Sequence, residues 1–160
     1  MFIRFITTGG TIDKVYFDPS SEFEVGDSPL DAILADGMVN FTYDVVLMFR
    51  KDSLELTDAD REALKTFISN DDADRYVISH GTDTMVETST VLQSLTGKTI
   101  VITGSLSPAR FKTTDAIFNV GMAVAAVQAS NPGVYIAISG QVFKADSVRK
   151  NRTENRFELL

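Results

Sequence analysis

The sequence predicts an α/β protein with an open, mostly parallel sheet flanked by helices. Short apolar runs alternate with longer amphipathic runs along the 160 residues, as in proteins that form strands and helices in turn. Some apolar runs, such as Ile100–Ile102, are hydrophobic without interruption, which is typical of parallel strands buried on both faces. A chain of this length suits one domain, so residues 1–160 are expected to fold as a single unit.

Five strands are predicted where the sequence is rich in Val, Ile or Phe and is bounded by Gly, Ser or Asp. They are Phe2–Thr7, Tyr43–Phe49, Arg75–Ser79, Thr99–Thr103 and Val134–Ser139. In a parallel sheet, the carboxyl ends of these strands lie along one edge, where α/β proteins bind their ligands. The residues after the strands are small and polar, which indicates a site at that edge.

Four helices are predicted between the strands. They cover Pro29–Met38 with Ser28 as cap, Thr57 to Ser69 with Thr57 as cap, Thr84–Ser94 and Thr114–Ala129. The last of them has a 3-4-3 apolar spacing that predicts a buried face, at Ile117, Val120, Val124 and Val127. Residues 13–27 show no period, and an irregular segment of that length predicts a mobile loop over the site.

The composition excludes several classes of function. The chain has no cysteine and only one histidine, which excludes disulfides, thiolate metal sites and a cysteine nucleophile. A net charge of −7 disfavours binding to nucleic acid. We expect neither a metal nor a cofactor, and no membrane contact, because no apolar run is long enough to span a bilayer. A cytoplasmic location is predicted from the lack of a signal-peptide pattern at the first residues.

Two motifs at strand ends admit both a structural and a functional interpretation. Thr8-Gly-Gly-Thr11 is a tight turn or an anion-binding turn, although it matches neither of the common phosphate-binding patterns. His80-Gly-Thr-Asp-Thr84 is a helix start with capping residues, or a hydroxyl and a carboxylate placed beside the first turn. The spacing of the residues alone does not decide between the structural and the functional interpretation of these motifs. His80 is predicted to be a strand-end residue held by hydrogen bonds rather than a catalyst.

Three further residues are candidates on chemical grounds. Lys150 lies in a basic cluster that is either a solvated surface or a lysine able to accept a proton beside a hydroxyl. Ser53 is a turn residue before the Thr57 cap unless it binds a ligand. Tyr16, in the irregular segment, is an aromatic anchor or a participant in the site.

Taken together, these motifs resemble those of the bacterial-type L-asparaginases. The two threonine motifs, Ile6-Thr-Thr-Gly-Gly-Thr-Ile12 and Ile78-Ser-His-Gly-Thr-Asp-Thr84, are similar to the two signatures of that family. The blocks between and after them agree in order: Lys51-Asp-Ser-Leu-Glu-Leu-Thr57, Ile102-Thr-Gly-Ser105 with Pro108, then Asp115, Asn119 and Val148-Arg-Lys150. The resemblance implies the Rossmann-like or flavodoxin-like N-terminal domain of that family. It implies a short-chain form without the second, C-terminal domain.

The resemblance also implies roles for individual residues. Thr11 is expected to be the nucleophile, with Tyr16 as the tyrosine that activates it, and Thr82, Asp83 and Lys150 form a second catalytic group. The residues implied in substrate binding are Gly10, Ser53, Glu55, Gly81, Thr82, Asp83 and Ser105. Which threonine forms the covalent intermediate is left open.

The function that the resemblance implies is hydrolysis of L-asparagine to L-aspartate and ammonia, with L-glutamine as a weaker second substrate. A non-catalytic amino-acid sensor and the amidase component of an amidotransferase are the alternatives. We also expect a homo-oligomer, because a site open at the strand ends needs a neighbour to close it.

Overall fold

A computed structural model describes residues 1–17 and 22–160. The strands in this part of the chain are β1 (Phe2–Gly9), β2 (Lys14–Phe17), β3 (Glu22–Val25), β4 (Thr42–Lys51), β5 (Arg75–Ser79), β6 (Thr99–Thr103), β7 (Gly133–Ile138), β8 (Gln141–Lys144), β9 (Val148–Asn151) and β10 (Arg156–Leu159). The helices are α1 (Leu30–Asp36), α2 (Asp58–Asn70), α3 (Met85–Leu92) and α4 (Ala116–Ala129).

The main sheet has six strands in the order β4-β1-β5-β6-β7-β8. The first five pair in parallel, and β8 pairs antiparallel to β7 at one edge. The five predicted strands and four predicted helices are all present, so the α/β class with a mostly parallel sheet is confirmed. Because the five strands are parallel, their carboxyl ends lie along one edge.

Two apolar layers cover the two faces of this sheet. On one face, a single buried cluster joins Ile78 of the sheet to two helices: Leu64 and Ile68 of α2, and Met85 and Leu92 of α3. The other face buries α1 and α4 in the second cluster, against side chains that alternate along the strands: Phe5, Val77, Val101 and Ala137. All of Ile100–Ile102 is fully buried, as expected for a strand covered on both faces.

Hydroxyl groups accept backbone N–H groups at the starts of α1 and α2. The Thr57 hydroxyl accepts a hydrogen bond from the Asp60 backbone N–H at 3.2 Å, and Asp60 accepts one from the Thr57 N–H, so the predicted cap of α2 is present. At α1, the Ser28 hydroxyl accepts the Leu30 N–H at 3.4 Å, and Pro29 precedes the first helical residue rather than being it. In both helices, a hydroxyl meets one of the backbone donors left free at a helix start.

The predicted buried face of α4 is wrong at one position. Ile117 is 58% exposed, and the residues that pack on the sheet are instead Ala116, Val120, Ala123 and Val127. The same 3-4 spacing fits both stripes, and the alanines let the helix lie closer to the strands. The apolar pattern therefore located the helix and its buried residues Val120 and Val127, but it assigned Ile117 to an inner face that Ala116 occupies.

Three regions differ from the sequence prediction. The segment predicted to be irregular contains β2 and β3, which pair antiparallel as a hairpin, with residues 18–21 outside the described part. Its predicted mobility stays a prediction. The strand β8 and the antiparallel pair β9–β10 were not predicted. Each of these strands is only four residues long, too short for a clear alternating pattern.

In the described ranges, no helix has the length and apolar character needed to cross a bilayer.

Candidate active site

Three loops at the carboxyl edge of the sheet meet through glycines. A Cβ atom added to Gly10 would overlap the Cα and N of Gly81, so the turn after β1 lies directly on the loop after β5. A Cβ added to Gly81 would lie 2.5 Å from the Ser53 Oγ, so the loop after β4 is the third partner. Of the predicted binding residues, Gly81 is therefore in contact with both Gly10 and Ser53, because the two glycines have no side chain and the Ser53 side chain packs directly on Gly81.

The turn after β1 depends on two glycines in the left-handed region. Gly9 and Gly10 have φ values of +96° and +90°, which residues with a Cβ rarely adopt. The Gly10 N–H donates to the Lys51 carbonyl at 3.0 Å and thereby joins the turn to the end of β4. This geometry makes the Thr8-Gly-Gly-Thr11 motif a strand-exit turn that carries Thr11 into the site.

Thr11 begins a short 3-10 turn, Thr11–Asp13, directly after Gly10. It is partly exposed and lines an open depression of about 240 Å³ together with Lys14, Phe23, Pro108 and Phe111. The Phe23 and Phe111 rings lie 5.8 Å apart, so the β2–β3 hairpin contacts the loop after β6 beside Thr11. Thr11 therefore lines a depression that opens to solvent.

Thr82, Asp83 and Lys150 form one hydrogen-bonded group. The Lys150 Nζ donates to the Thr82 Oγ1 at 2.8 Å and to the Asp83 Oδ1 at 2.6 Å. The Thr82 residue and the Lys150 side chain are 7% and 8% exposed, whereas the Asp83 side chain is 43% exposed. The ammonium is thus held between a buried hydroxyl and a carboxylate that faces solvent. The surface interpretation of Lys150 is wrong, because its side chain is buried against Thr82.

The β9–β10 pair brings Lys150 to this position. Val148 of β9 and Phe157 of β10 are buried in the same apolar cluster as α3, which fixes the pair against the domain. Alternation along β9 then points Arg149 the other way, where it is 63% exposed and pairs with Glu158 at 2.9 Å. One strand therefore presents one basic side chain to the site and the next to solvent.

Ser53 is buried at the start of a 3-10 turn, Ser53–Glu55, that follows β4. Its carbonyl accepts a hydrogen bond from the Thr84 hydroxyl at 2.7 Å, which joins it to the loop after β5. Glu55 accepts the Asp52 N–H at 3.1 Å in a capping box, so its carboxylate serves the turn in this structure. Asp52 in turn pairs with Lys14 of the hairpin at 2.9 Å.

Ser105 belongs to the loop after β6, where its hydroxyl donates to the Ser107 carbonyl at 2.6 Å. Asp115 accepts the Leu106 and Ser107 backbone N–H groups, and Asn119 donates to the Gly104 carbonyl at 2.9 Å. These two side chains hold the loop in place. The family resemblance singled them out without a role, and the structure assigns them a supporting one.

His80 is buried at the end of β5 and makes two hydrogen bonds. Its Nδ1 lies 2.7 Å from the Gly81 carbonyl and its Nε2 lies 2.8 Å from the Thr88 hydroxyl. Burial lowers the pKa of His80 to about 4, so the ring is neutral at pH 7. It donates from Nδ1 and accepts at Nε2, which matches the prediction of a strand-end residue rather than a catalyst.

Sequence reasoning missed Asp13, the last residue of the Thr11 turn. It is only 3% exposed, and burial raises the pKa of its carboxyl to about 6.

Tyr16 is placed on β2, where its backbone pairs with that of Phe23; its side chain lies outside the described features. Within the described ranges, no three acidic or histidine side chains are grouped so that they could hold a metal ion.

We expect Asp13 and His80 to give opposite dependences of stability on pH. Through His80, the free energy of unfolding falls by about 3 kcal/mol as the pH falls from 6.5 towards 4, because His80 takes up a proton in the unfolded protein while the buried ring stays neutral in the folded one. Through Asp13, it falls by a similar amount as the pH rises from 3.8 through about 6, because Asp13 ionises in the unfolded protein while the buried carboxyl stays protonated in the folded one. In Asp13→Asn only the histidine effect remains, so the free energy of unfolding rises between pH 4 and 6.5.

Urea unfolding of wild type, Asp13→Asn and the exposed control Asp36→Asn at several pH values measures this difference. Wild type and Asp36→Asn should show the smaller slope in that range. An Asp13→Asn slope equal to that of wild type would contradict the expectation.

Comparison with known proteins agrees with this geometry. Residues 2–158 match the family model described as Asparaginase, N-terminal. A glutaminase-asparaginase of Acinetobacter glutaminasificans is 29% identical over 160 residues, which cover 91% of this chain and 48% of that protein. The chain thus spans about half the length of the curated relatives that it matches.

Solved structures show the same fold. The thermostable L-asparaginase from Thermococcus kodakarensis superimposes with a TM-score of 0.85 at 24% identity, over 100% of this chain and 51% of its own. A structure described as "Probable Cytoplasmic L-asparaginase" from Campylobacter jejuni gives a TM-score of 0.79 at 26% identity, over 99% and 51%. The glycine-lined loops, the paired threonine motifs and the family match together show that this chain belongs to the asparaginase family, through its N-terminal domain.

Proposed function

We propose that this chain hydrolyses the side-chain amide of L-asparagine to L-aspartate and ammonia with a threonine nucleophile. The observation that carries the proposal is the contact of the Lys150 Nζ with the Thr82 Oγ1 at 2.8 Å and the Asp83 Oδ1 at 2.6 Å. Two members of this group, Thr82 and Asp83, directly follow Gly81, which contacts Gly10, the residue before Thr11. The proposed site thus combines Thr11, which lines an open depression, with a buried lysine that can carry protons.

The chemistry needs both parts. A threonine hydroxyl is a weak nucleophile until a neighbouring group takes its proton. In the proposed reaction the Thr11 Oγ attacks the amide carbon, the C–N bond breaks, and the nitrogen leaves as ammonia after gaining a proton. Water then attacks the resulting ester, releases aspartate and gives one of its own protons to the Thr11 oxygen. Thr82 and Lys150 move protons in these steps, while Asp83 holds the lysine in place.

Backbone and side-chain groups around the three loops suit an amino-acid substrate. The Gly81–Thr82 segment, held through its carbonyl by His80, supplies backbone N–H groups for the oxygen that becomes negative during attack. Ser53 offers a buried hydroxyl for the substrate's α-carboxylate, and the exposed Asp83 carboxylate suits its α-ammonium group. Gly10, Glu55 and Ser105 complete the proposed binding residues.

L-Glutamine is the proposed second substrate. The Acinetobacter relative is named for both glutaminase and asparaginase activity. Glutamine differs from asparagine by one methylene, and a difference of that size changes transition-state binding by only about 1–3 kcal/mol. We therefore expect L-asparagine to be preferred, with measurable release of ammonia from L-glutamine.

Association and location are part of the same proposal. The site lies open at the sheet edge, and the partly exposed Asp83 suits closure by a second copy of the chain, so we propose a homo-oligomer. A cytoplasmic location is supported by the name of the Campylobacter jejuni relative. Light scattering that shows a fully active monomer would contradict the oligomer.

Ammonia release from L-asparagine and L-glutamine, over a wide range of concentrations, tests the proposed function. We expect release from both, with the higher kcat/KM for L-asparagine. The melting temperature with and without L-asparagine is measured in parallel. A rise in melting temperature without any ammonia would contradict the enzyme and support the amino-acid sensor instead. Release that begins only after a partner protein is added would support the amidotransferase component.

A further inference from the structure

A chain of side-chain hydrogen bonds connects α2 and α3 to the loop that carries Thr82. The Arg61 Nε donates to the Thr88 Oγ1 at 3.3 Å, and the same Oγ1 lies 2.8 Å from the His80 Nε2. The His80 Nδ1 lies 2.7 Å from the carbonyl oxygen of Gly81, which belongs to the peptide between Gly81 and Thr82. Two helices that lie behind the site are thereby connected to it through one imidazole ring.

The hydrogen bonds of this chain all run in one direction, from Arg61 towards Gly81. A guanidinium only donates and a carbonyl oxygen only accepts, so the two ends of the chain are fixed. The His80 ring therefore donates from Nδ1, and because it is neutral its Nε2 accepts from the Thr88 hydroxyl. The Thr88 Oγ1 in turn accepts from Arg61. Each proton thus has one allowed position between the charged end of the chain and the Gly81 carbonyl.

This chain is buried. His80 and Thr88 are fully covered, and Arg61 is only 8% exposed, with one further guanidinium N–H that reaches the exposed Asp58 at 3.1 Å. Apolar side chains line the same narrow space: Phe49, Leu56 and Leu64. In such surroundings hydrogen bonds are stronger than in water and polarise one another. An apolar residue in place of Arg61 would serve packing alone at least as well, because taking a cation out of water opposes folding.

The last bond of the chain acts on a donor of the candidate active site. When the carbonyl of a peptide accepts a strong hydrogen bond, the polarised peptide becomes a stronger donor at its own N–H. His80 binds the carbonyl of the peptide between Gly81 and Thr82, and the N–H of that peptide is the Thr82 N–H. In the proposed function, this N–H is one of those offered to the substrate oxygen that becomes negative during attack.

We propose that Arg61 and Thr88 are positioning residues for the reaction. Acting through His80, they fix the orientation of the peptide between Gly81 and Thr82 and strengthen the Thr82 N–H as a donor to the substrate oxygen. The inference rests on the proposed function, which places that oxygen beside this peptide. Loss of a donor to such an oxygen lowers a rate about 100- to 1,000-fold, so weakening one has a measurable effect.

Such a role affects kcat rather than KM. The substrate oxygen becomes negative only during the reaction, so a weaker N–H donor changes binding of the unreacted substrate little. Ser53 and Asp83, the residues proposed to bind the two charged groups of the substrate, have other partners, Thr84 and Lys150. A purely structural network would instead lower the amount of folded protein and leave kcat per folded molecule unchanged.

The first test compares Thr88→Val with Thr90→Val, at two threonines of α3. Valine replaces the Thr88 hydroxyl with a methyl group and interrupts the chain at its centre. We expect kcat per folded molecule to fall about 10- to 100-fold, with KM for L-asparagine within about threefold of wild type. Thr90 is exposed and donates to the Val86 carbonyl of its own helix at 3.0 Å, so Thr90→Val should keep the wild-type kcat. Thr88→Ser keeps the hydroxyl and should retain most of the activity.

The second test compares Arg61→Met with Lys65→Met, at two cations of α2. Arg61→Met removes the charged end of the chain but leaves Thr88 able to donate to His80, so kcat should fall less than in Thr88→Val. Lys65 pairs with Glu62 at 3.6 Å, and its replacement removes the same charge from the same helix without a change in kcat. A wild-type kcat in folded Thr88→Val or Arg61→Met would overturn the proposal for the residue replaced.

The tautomer of His80 gives a readout that does not depend on activity. His80 is the one histidine in the sequence, so the ¹⁵N NMR signals of its ring are unambiguous. We expect a ring protonated at Nδ1 in wild type at pH 7, and a shifted Nε2 signal in Thr88→Val but not in Thr90→Val. A ring protonated at Nε2 would reverse the direction of the chain and overturn this inference alone. If wild type has the expected tautomer but releases no ammonia, the proposed function fails, and the role of Arg61 and Thr88 in the reaction fails with it.

Discussion

Lys150→Met is expected to lower kcat for ammonia release by about 100- to 10,000-fold, the range typical of a group that moves protons in the transition state. Methionine is close to lysine in length and fills the same buried space, but it cannot donate to the Thr82 Oγ1 or carry a proton. The Asp83 carboxylate also loses the cation that lies 2.6 Å away. Steady-state kinetics with L-asparagine measures the loss, and circular dichroism verifies the fold.

Arg149→Met is the matched control, because it removes a positive charge from the adjacent position of the same strand. Arg149 faces solvent and pairs with Glu158 rather than with the site. We expect its kcat to stay close to that of wild type, because Arg149 does not contact the site. The fold should also be retained, since an exposed ion pair contributes little to stability. Lys150→Arg keeps the charge but not the proton transfer, because a guanidinium stays protonated, so it should remain strongly impaired. A Lys150→Met enzyme with half of the wild-type kcat would refute the assigned role.

Gly81→Ala is expected to abolish activity and to lower the free energy of unfolding by about 1–3 kcal/mol. The added Cβ would lie 2.5 Å from the Ser53 Oγ and 2.6 Å from the Ser53 Cβ. Ser53 is 2% exposed and cannot swing away into solvent, so the two loops must separate. Their separation would displace Thr82 from the Thr11 turn.

Gly121→Ala provides the control for a glycine without such neighbours. Gly121 lies inside α4, and a Cβ there would meet nothing within 4 Å. Alanine is the better helix former, so stability should rise by up to about 1 kcal/mol with activity unchanged. Adding Ser53→Gly to Gly81→Ala removes the two atoms that clash and should restore part of the lost stability, as urea unfolding would show. Equal stabilities of Gly81→Ala and Gly121→Ala would contradict the packing described.

Much of the fold was predictable because its signals are local. The apolar runs of β5, β6 and β7 and the Thr57 cap of α2 each depend on a few adjacent residues. The face of α4 was not, because Ile117 and Ala116 fit the same period and only the packing distance to the sheet chooses between them. A pattern of apolar residues does not contain that distance.

The rest of the fold depends on pairing between distant or very short segments. The hairpin β2–β3 and the pair β9–β10 have four-residue strands, whose stability comes from their partners rather than from their own sequence. Lys150 reaches Thr82 across 68 positions of the chain, and only the docking of Val148 and Phe157 brings it there. The family resemblance supplied that grouping before the structure did.

The supporting residues of the site were the least visible in the sequence. Asp115 and Asn119 bind backbone groups of the loop after β6, and the Asp13 backbone N–H donates to the Gly10 carbonyl in the Thr11 turn. In the sequence, an acidic or amide residue in such a segment cannot be told from one that faces solvent until its burial and its partners are known. The burial of Asp13 beside Ile12 is evident from the structure and not from the sequence.

Ammonia release from L-asparagine by wild type and Thr11→Val in parallel tests the central claim most directly. Valine keeps the shape of threonine and replaces only the hydroxyl with a methyl group, so the turn should stay folded, and Thr11→Ser serves as the variant that keeps the nucleophile. The account predicts activity in wild type, reduced activity in Thr11→Ser, and a loss of at least about 1,000-fold in Thr11→Val. Undiminished ammonia release by a folded Thr11→Val protein would contradict the threonine mechanism proposed for this site.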